Sequence, residues 1–279
     1  MAVISRLLGA CLRGFLVALL ITTPALLLPG VSPDTAQVVM LLALSAGVLT
    51  VLEYNSAYPC LFEFREAPPF NRIRFTSLFL TVFLLSVVMK GQTSPTLLAE
   101  FIQSVGNLFA RVFDFAYSPV RLVVLMLPED APLAQLDVLR ALACLAYLIS
   151  MISLAVFGVA VWRSGWPLQN GSFNVWTNLP TFDPTAGGEV VSRLRRDASI
   201  NIVLGILLPF LMPSVVSSAP NLLGAVSHAS PQTLIWTVTA WAFFPASLLM
   251  RGIAMARIAQ MITQKRKQTT ISDVGLLPV

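Results

Sequence analysis

Residues able to do chemistry are few in this chain. There is one histidine, His228, and there are three cysteines, Cys11, Cys60 and Cys144. Zinc centres draw on clusters of Cys and His ligands, and no CxxC pair is present. Bis-histidine haem ligation within the chain is excluded by the single histidine, and nothing in the sequence names another cofactor. A nucleophilic serine or cysteine would need His228 as its base, yet no GxSxG elbow accompanies it. No GxGxxG or P-loop string occurs. The cysteines read as buried or interfacial free thiols rather than a disulfide framework. Together these residues lean away from an enzyme.

The one site-like stretch is Glu53–Arg74. It carries Glu63, Arg65, Glu66, Arg72 and Arg74 among aromatics and prolines. Alternating charges with aromatics suit a polar lipid headgroup or a neighbouring subunit. The competing expectation is a loop that satisfies its own charges and caps one face of the protein, since surface pairs are common and individually weak. A third possibility is headgroup chemistry through Glu63, Glu66 and the Arg72/Arg74 pair. A second basic set, Arg193, Arg195 and Arg196, falls on an expected short helix over 189–197, with Val190, Val191 and Leu194 on its apolar side and the arginines near headgroups.

The elements that must hold these residues are apolar. The 279 residues are 56% hydrophobic and 11% charged, with mean hydropathy +0.80. Soluble domains carry about 25% charged residues, so lipid rather than water is the expected solvent. A span needs about 20 mostly apolar residues. The expected spans are 7–28, 36–52, 75–89, 141–161, 200–216 and 233–250, making an all-α membrane protein in one polytopic domain. Small residues repeat at Ala10, Gly14 and Ala18 on the first span and at Ala43 and Gly47 on the second, a pattern that lets helix backbones approach closely. Pro24, Pro209, Pro213 and Pro245 fall in or near spans and each removes a helical hydrogen bond. No Asp, Glu, Lys or His sits at the centre of a span, so a carboxylate relay for coupled transport lacks its residues. Arg13 is two turns into the first span and is read as snorkelling to the cytoplasmic side.

Net charge is +5. The basic residues flank apolar runs, which suits anionic lipid headgroups and points away from nucleic acid. With both termini cytoplasmic, fourteen of the 18 basic residues fall inside, and only Lys90, Arg111, Arg121 and Arg140 stay outside. The positive-inside rule favours that orientation. It makes 53–74 and 163–199 cytoplasmic loops and 251–279 a cytoplasmic tail, helical to about Gln264. Trp162 and Trp166 then suit the interfacial aromatic belt. The Asn170-Gly171-Ser172 sequon would stay unmodified in the cytoplasm.

The outside segment 95–128 should contain a surface amphipathic helix between spans three and four. Leu98, Phe101, Ile102, Val105, Leu108, Phe109, Val112 and Phe113 recur at helical spacing, and Ser94-Pro95 supplies a start. Val120–Leu127 is too short to cross. Glu129, Asp130 and Asp137 follow as an acidic patch. The N-terminus resembles neither a cleavable signal, for want of a small-x-small site, nor a true lipobox, since Leu8-Gly9-Ala10-Cys11 has no apolar run before it.

The expectation is a multi-pass protein of the bacterial inner membrane, non-catalytic, serving as an accessory, assembly or scaffold component of a larger membrane complex. Its partners would be the lipid bilayer and other membrane proteins or a second copy of itself. The alternative is a small-solute or lipid transporter built on kinked spans five and six, with Asn201, Pro209, Pro213 and Pro245 along the path.

Overall fold

A computed structural model describes residues 2–128, 131–163, 165–167, 174–183, 185, 187–217 and 230–275. His228, Glu129, Asp130 and the 170–172 sequon lie outside the described residues. Those described form helices and no strands. They are α1 (Ala2–Leu27), α2 (Pro33–Asn55), α3 (Phe70–Gly91), α4 (Leu97–Phe113), α5 (Pro119–Val124), α6 (Leu133–Arg163), α7 (Val175–Asn178), α8 (Val190–Ser217) and α9 (Pro231–Gly275). Six of them, α1, α2, α3, α6, α8 and α9, are long and apolar enough to cross a membrane. The architecture is that of a multi-pass α-helical membrane protein.

Several boundaries differ from the sequence reading. The third span begins at Phe70, directly after Pro68-Pro69, with Pro69 in the N-cap position. The basic helix over 189–197 is not separate. It is the first part of α8, which runs unbroken from Val190 to Ser217. Nothing between Asp197 and Ile200 breaks a helix, so the apolar run inherits the basic turn. α9 continues to Gly275, past the expected end near Gln264. α4 starts two residues later than Ser94-Pro95 suggests, because Thr96 rather than Ser94 caps it, accepting from the Ala99 N–H at 3.2 Å. Ser32 and Ser118 cap α2 and α5 in the same way, each followed by a proline in the first turn, where no donor is lost.

α6 is the hub. It packs against α3, α4, α5 and α9, and α8 packs along α9. α1 joins α3, whereas α2 packs substantially on α1 alone. One core gathers residues of α3, α4, α6 and α9 around Leu85, Leu142 and Ile235. The ring contacts Phe113–Tyr147 at 5.4 Å and Tyr147–Trp241 at 6.0 Å tie α4, α6 and α9 through it. A second core lies at the arginine-rich end around Phe64, Phe70, Phe157 and Trp166.

Lipid supplies no hydrophobic drive between helices, so close backbone approach matters most. A Cβ on Gly205 would stand 2.9 Å from the Pro245 carbonyl, and one on Gly252 would stand 2.9 Å from the Ala198 carbonyl, so α8 and α9 touch backbone to backbone at two levels. Gly106 of α4 meets the Ala141 carbonyl of α6 at 2.8 Å in the same sense. The prolines are accommodated locally. Pro213 has no N–H to give the carbonyl of Pro209 four residues earlier. The Trp241 indole N–H donates to that carbonyl at 3.0 Å instead.

Leucine at Gly205 should cost about 1–3 kcal/mol through overpacking, seen as a lowered unfolding temperature in detergent. Leucine at Gly158, where a Cβ meets nothing within 4 Å, should leave that temperature unchanged. Trp241→Phe keeps the ring and strands the Pro209 carbonyl, a loss of about 1–2 kcal/mol. A Trp241→Phe protein as stable as the parent would remove the indole from this role.

Candidate functional site

The polar side chains gather at the two ends of the bundle. At the arginine-rich end the loop 56–69 folds over the termini of α2 and α3. Glu53, in the last turn of α2, is buried. Its Oε1 accepts from three successive backbone N–H groups, those of Cys60, Leu61 and Phe62. Three amide donors thus satisfy one oxygen of a buried carboxylate. Arg65 then caps the helix. Its guanidinium, with the side chain 4% exposed, donates to the Glu53 and Ser56 carbonyls, both at 2.9 Å. Carbonyls at a helix C-terminus lack intrahelical donors and carry partial negative charge, so an arginine satisfies both needs. Arg6 adds a bond to the Ser56 carbonyl at 2.7 Å.

Glu63 reaches across the bundle. It takes both N–H groups of Arg251 in α9, at 2.6 and 2.8 Å, and the Thr181 hydroxyl at 2.8 Å. This is a bidentate fork, the strong form of an ion pair. Glu66 pairs with Arg65 at 3.3 Å and accepts from Thr177. Its backbone N–H donates to the Asn178 side chain at 3.0 Å. Trp166 is fully buried, which removes it from the expected interfacial belt. It packs against Phe64, Phe70 and Phe157 and donates its indole N–H to the Ala67 carbonyl at 3.1 Å. Trp162, in contrast, is 81% exposed. The segments 53–74, 165–167 and 174–182 therefore form one folded layer, locked to α9 by Glu63–Arg251.

The other residues singled out by sequence fall in three places. Arg72 is exposed. Arg74 lies one turn inside α3, its guanidinium 5.2 Å from the Phe70 ring and 6.0 Å from Phe243. Arg193 stacks on Phe182 at 4.8 Å, Arg195 donates to the Thr263 hydroxyl at 3.5 Å, and Arg196 stands 3.6 Å from Asp197. Glu189 caps the start of α8, accepting from the Ser192 N–H at 2.7 Å and pairing with Arg266 at 2.6 Å. The Ser192 N–H first, and Arg266 after it, hold the Glu189 carboxyl below the usual glutamate range, although it is open to solvent.

Among the small residues, Ala10 is fully buried and Ala43 nearly so. A Cβ on Gly14 would sit 2.7 Å from the Gly47 carbonyl, and one on Gly47 would sit 3.6 Å from the Ala18 Cβ. The groove that α1 and α2 form there, about 290 Å³ in volume, is lined by Gly14, Phe15, Ala18, Ala43, Leu44, Gly47, Val48, Val51 and Leu52. It is almost wholly apolar.

At the opposite end Asp114 joins three elements. It accepts from Arg140 at 2.7 Å and from Arg121 at 3.3 Å, and Arg140 also pairs with Asp137 at 2.7 Å. α4 has three sectors at helical spacing. Ala99, Ile102, Gly106 and Ala110 are buried on the bundle. Leu97, Leu98, Phe101, Leu108 and Val112 are apolar and exposed. Glu100, Ser104, Asn107 and Arg111 are polar and exposed.

Sequence reasoning did not find Glu53, Arg251, Thr181 or Trp166 as members of one network. Glu63 and Arg251 are 188 positions apart, and no local pattern reports such a pairing. Among the described residues no group of three His, Cys, Asp or Glu is placed to hold a metal ion. Compared with known proteins, the chain matches no family model, no curated protein and no solved structure.

Two outcomes follow from these contacts. Glu63→Gln loses the ionic half of the fork and should cost about 2 kcal/mol, read as faster proteolysis within 56–69. Unchanged cleavage would show that the layer does not depend on the fork. Glu189, whose folded value is depressed, contributes stability above the ordinary glutamate range and loses it as pH falls through the lowered value. The titration midpoint of Glu189 by NMR should lie below that of a model glutamate and rise in Arg266→Gln. A midpoint at the model value contradicts the cap.

Proposed function

We propose that this chain is a non-catalytic protein of the bacterial inner membrane that serves as an accessory, assembly or scaffold component of a larger membrane complex. The arginine-rich end and both termini face the cytoplasm, following the distribution of basic residues. α4 lies in the outer interface, its exposed apolar sector toward acyl chains and its polar sector toward water.

The observation that carries this reading is the position of α2. It is seated on α1 alone among the substantial helix pairs, and 22% of its span is buried, against 50% for α9. Apart from its seat on α1, most of the α2 surface is left open. With α1 it offers an apolar groove floored by Gly14, Ala18, Ala43 and Gly47, a surface against which a foreign helix can pack closely. The docking partner is a helix of another membrane protein or a second copy of this chain.

The use of the polar groups supports the same reading. Glu53, Glu63, Glu66 and Asp114 each hold an internal partner, so the carboxylates best placed for chemistry are engaged in structure. The transporter alternative needs a path along α8 and α9. Gly205 and Gly252 bring those helices into backbone contact, the Pro209 carbonyl is taken by Trp241, and the Asn201 amide donates to the Asp197 carbonyl at 2.7 Å.

Photo-crosslinking checks the proposal. A benzophenone side chain at Leu44, in the groove, should join the protein to a discrete membrane protein or to itself in native membranes. The same group at Leu207, exposed on α8, should give no discrete product. A protein that crosslinks to lipid alone from Leu44, and runs as a solitary monomer in mild detergent, is not a component of a complex.

A further inference from the structure

At the arginine-rich end Arg74 stands out among the described residues for a buried guanidinium nitrogen with no partner. Arg74 belongs to none of the ion pairs among the described residues, and its Nε is buried with no hydrogen-bond partner. The side chain follows the helical preference to point back toward the N-terminus. Its guanidinium is thereby carried past Phe70, 5.2 Å from the ring, and toward Phe243 at 6.0 Å. Two aromatic faces hold the plane of the cation and supply no hydrogen-bond acceptor within the ring plane.

Neighbouring carboxylates are already engaged. Glu63 is within electrostatic reach of Arg74, but its oxygens are taken by Arg251 and Thr181. Glu53 is enclosed by the amides of 60–62. Arg65, the guanidinium of the loop, is occupied by two carbonyls and Glu66. A second cation approaches from α1. Arg13 stands 4.7 Å over the Tyr54 ring and gives one N–H to the Gly9 carbonyl at 2.8 Å, leaving its other donors for a further acceptor. Tyr54 is within electrostatic reach of both Arg13 and Arg74. Arg13 of α1 thus lies against Tyr54 of α2, and Arg74 lies near the start of α3, which packs on α1, so both arginines stand where apolar helix gives way to charged loop.

We propose that Arg74, Arg13 and Tyr54 form a binding site for a phosphate group, that of an anionic phospholipid headgroup. A guanidinium matches phosphate oxygens in bidentate fashion, and burial makes an unpaired cation costly enough to favour a permanent anion. The exposed apolar flank of α1, with Leu8 and Leu12 on it, gives the acyl chains a wall. The site is separate from the α1–α2 groove proposed for docking and does not depend on it.

The test is thermal unfolding of the whole protein in a neutral detergent with added phosphatidylglycerol, phosphatidylcholine or inorganic phosphate. Phosphatidylglycerol should raise the unfolding temperature saturably, and phosphatidylcholine should not. Arg74→Gln should weaken the apparent affinity roughly tenfold or more, the loss of one charge-assisted fork, and Arg74→Lys should recover part of it. Arg13→Gln should weaken it as well, which keeps the test alive if Arg74→Gln fails to fold. Arg72→Gln removes an exposed arginine two residues away and should bind as the parent does. A saturable rise with inorganic phosphate alone, lost in Arg74→Gln, supports the anion site and assigns it to soluble phosphate instead of lipid. Equal loss in Arg72→Gln and Arg74→Gln, or an unaltered response in Arg74→Gln, overturns the site.

Discussion

In a chain this apolar, each polar group removed from water must find its partner within the protein. The cost of failing is several kcal/mol per group in hydrocarbon. The contacts of this fold are arranged around that requirement. The Pro209 carbonyl, deprived of its helical donor by Pro213, receives the Trp241 indole. The Glu53 carboxylate, buried at the end of α2, receives three amides. The last carbonyls of α2 receive Arg65. In each case the partner comes from a different segment, so satisfying the group also fixes one piece of chain against another.

The same constraint separates the molecule into zones. Between its ends the helices are joined by shape, through Gly205, Gly252 and Gly106 and through the rings of Phe113, Tyr147 and Trp241. Charges sit at the ends, where they serve as locks: Glu63 with Arg251 on one side and Asp114 with Arg140 on the other. The lock at the arginine-rich end joins the 53–74 loop, the 174–182 segment and α9 over the second core. α1 and α2 are the exception to this economy, with wide apolar surface outside the bundle and an arginine, Arg74, left without a carboxylate beside them. Those two features carry the proposals of a docking face and an anion site.

The sequence was most legible where one physical term dominates. Long apolar runs marked the spans, because hydropathy over some twenty residues outweighs local preferences. The arginine bias put 53–74, 163–199 and the tail at one end, and the Glu63–Arg251 and Glu189–Arg266 pairs bring those segments together there. Helix limits were less legible. Glu189–Asp197 reads as a separate basic turn only because its charges interrupt hydropathy, while its backbone propensity continues straight into the span. The alternating charges of Glu53–Arg74 were visible, but their partners were not. Arg251, Thr181 and Asn178 are set by how α9 and the 174–182 segment pack, and packing at that sequence distance leaves no periodic trace. Trp166 misled for a related reason: an indole near a span end suits a lipid interface equally well, and only the approach of Ala67 and Phe70 buries it.

The central claim is that a bilayer lies between the arginine-rich end and the α4 end. The native Cys60 is exposed at the first, and Tyr117 is 86% exposed at the second. Labelling by a membrane-impermeant maleimide compares Cys60 with a Tyr117→Cys variant in which Cys60 is replaced by serine. In cells with a permeabilised outer membrane and an intact inner one, the account predicts labelling at position 117 and none at Cys60 until the inner membrane is broken. Labelling of both from the same side would contradict it.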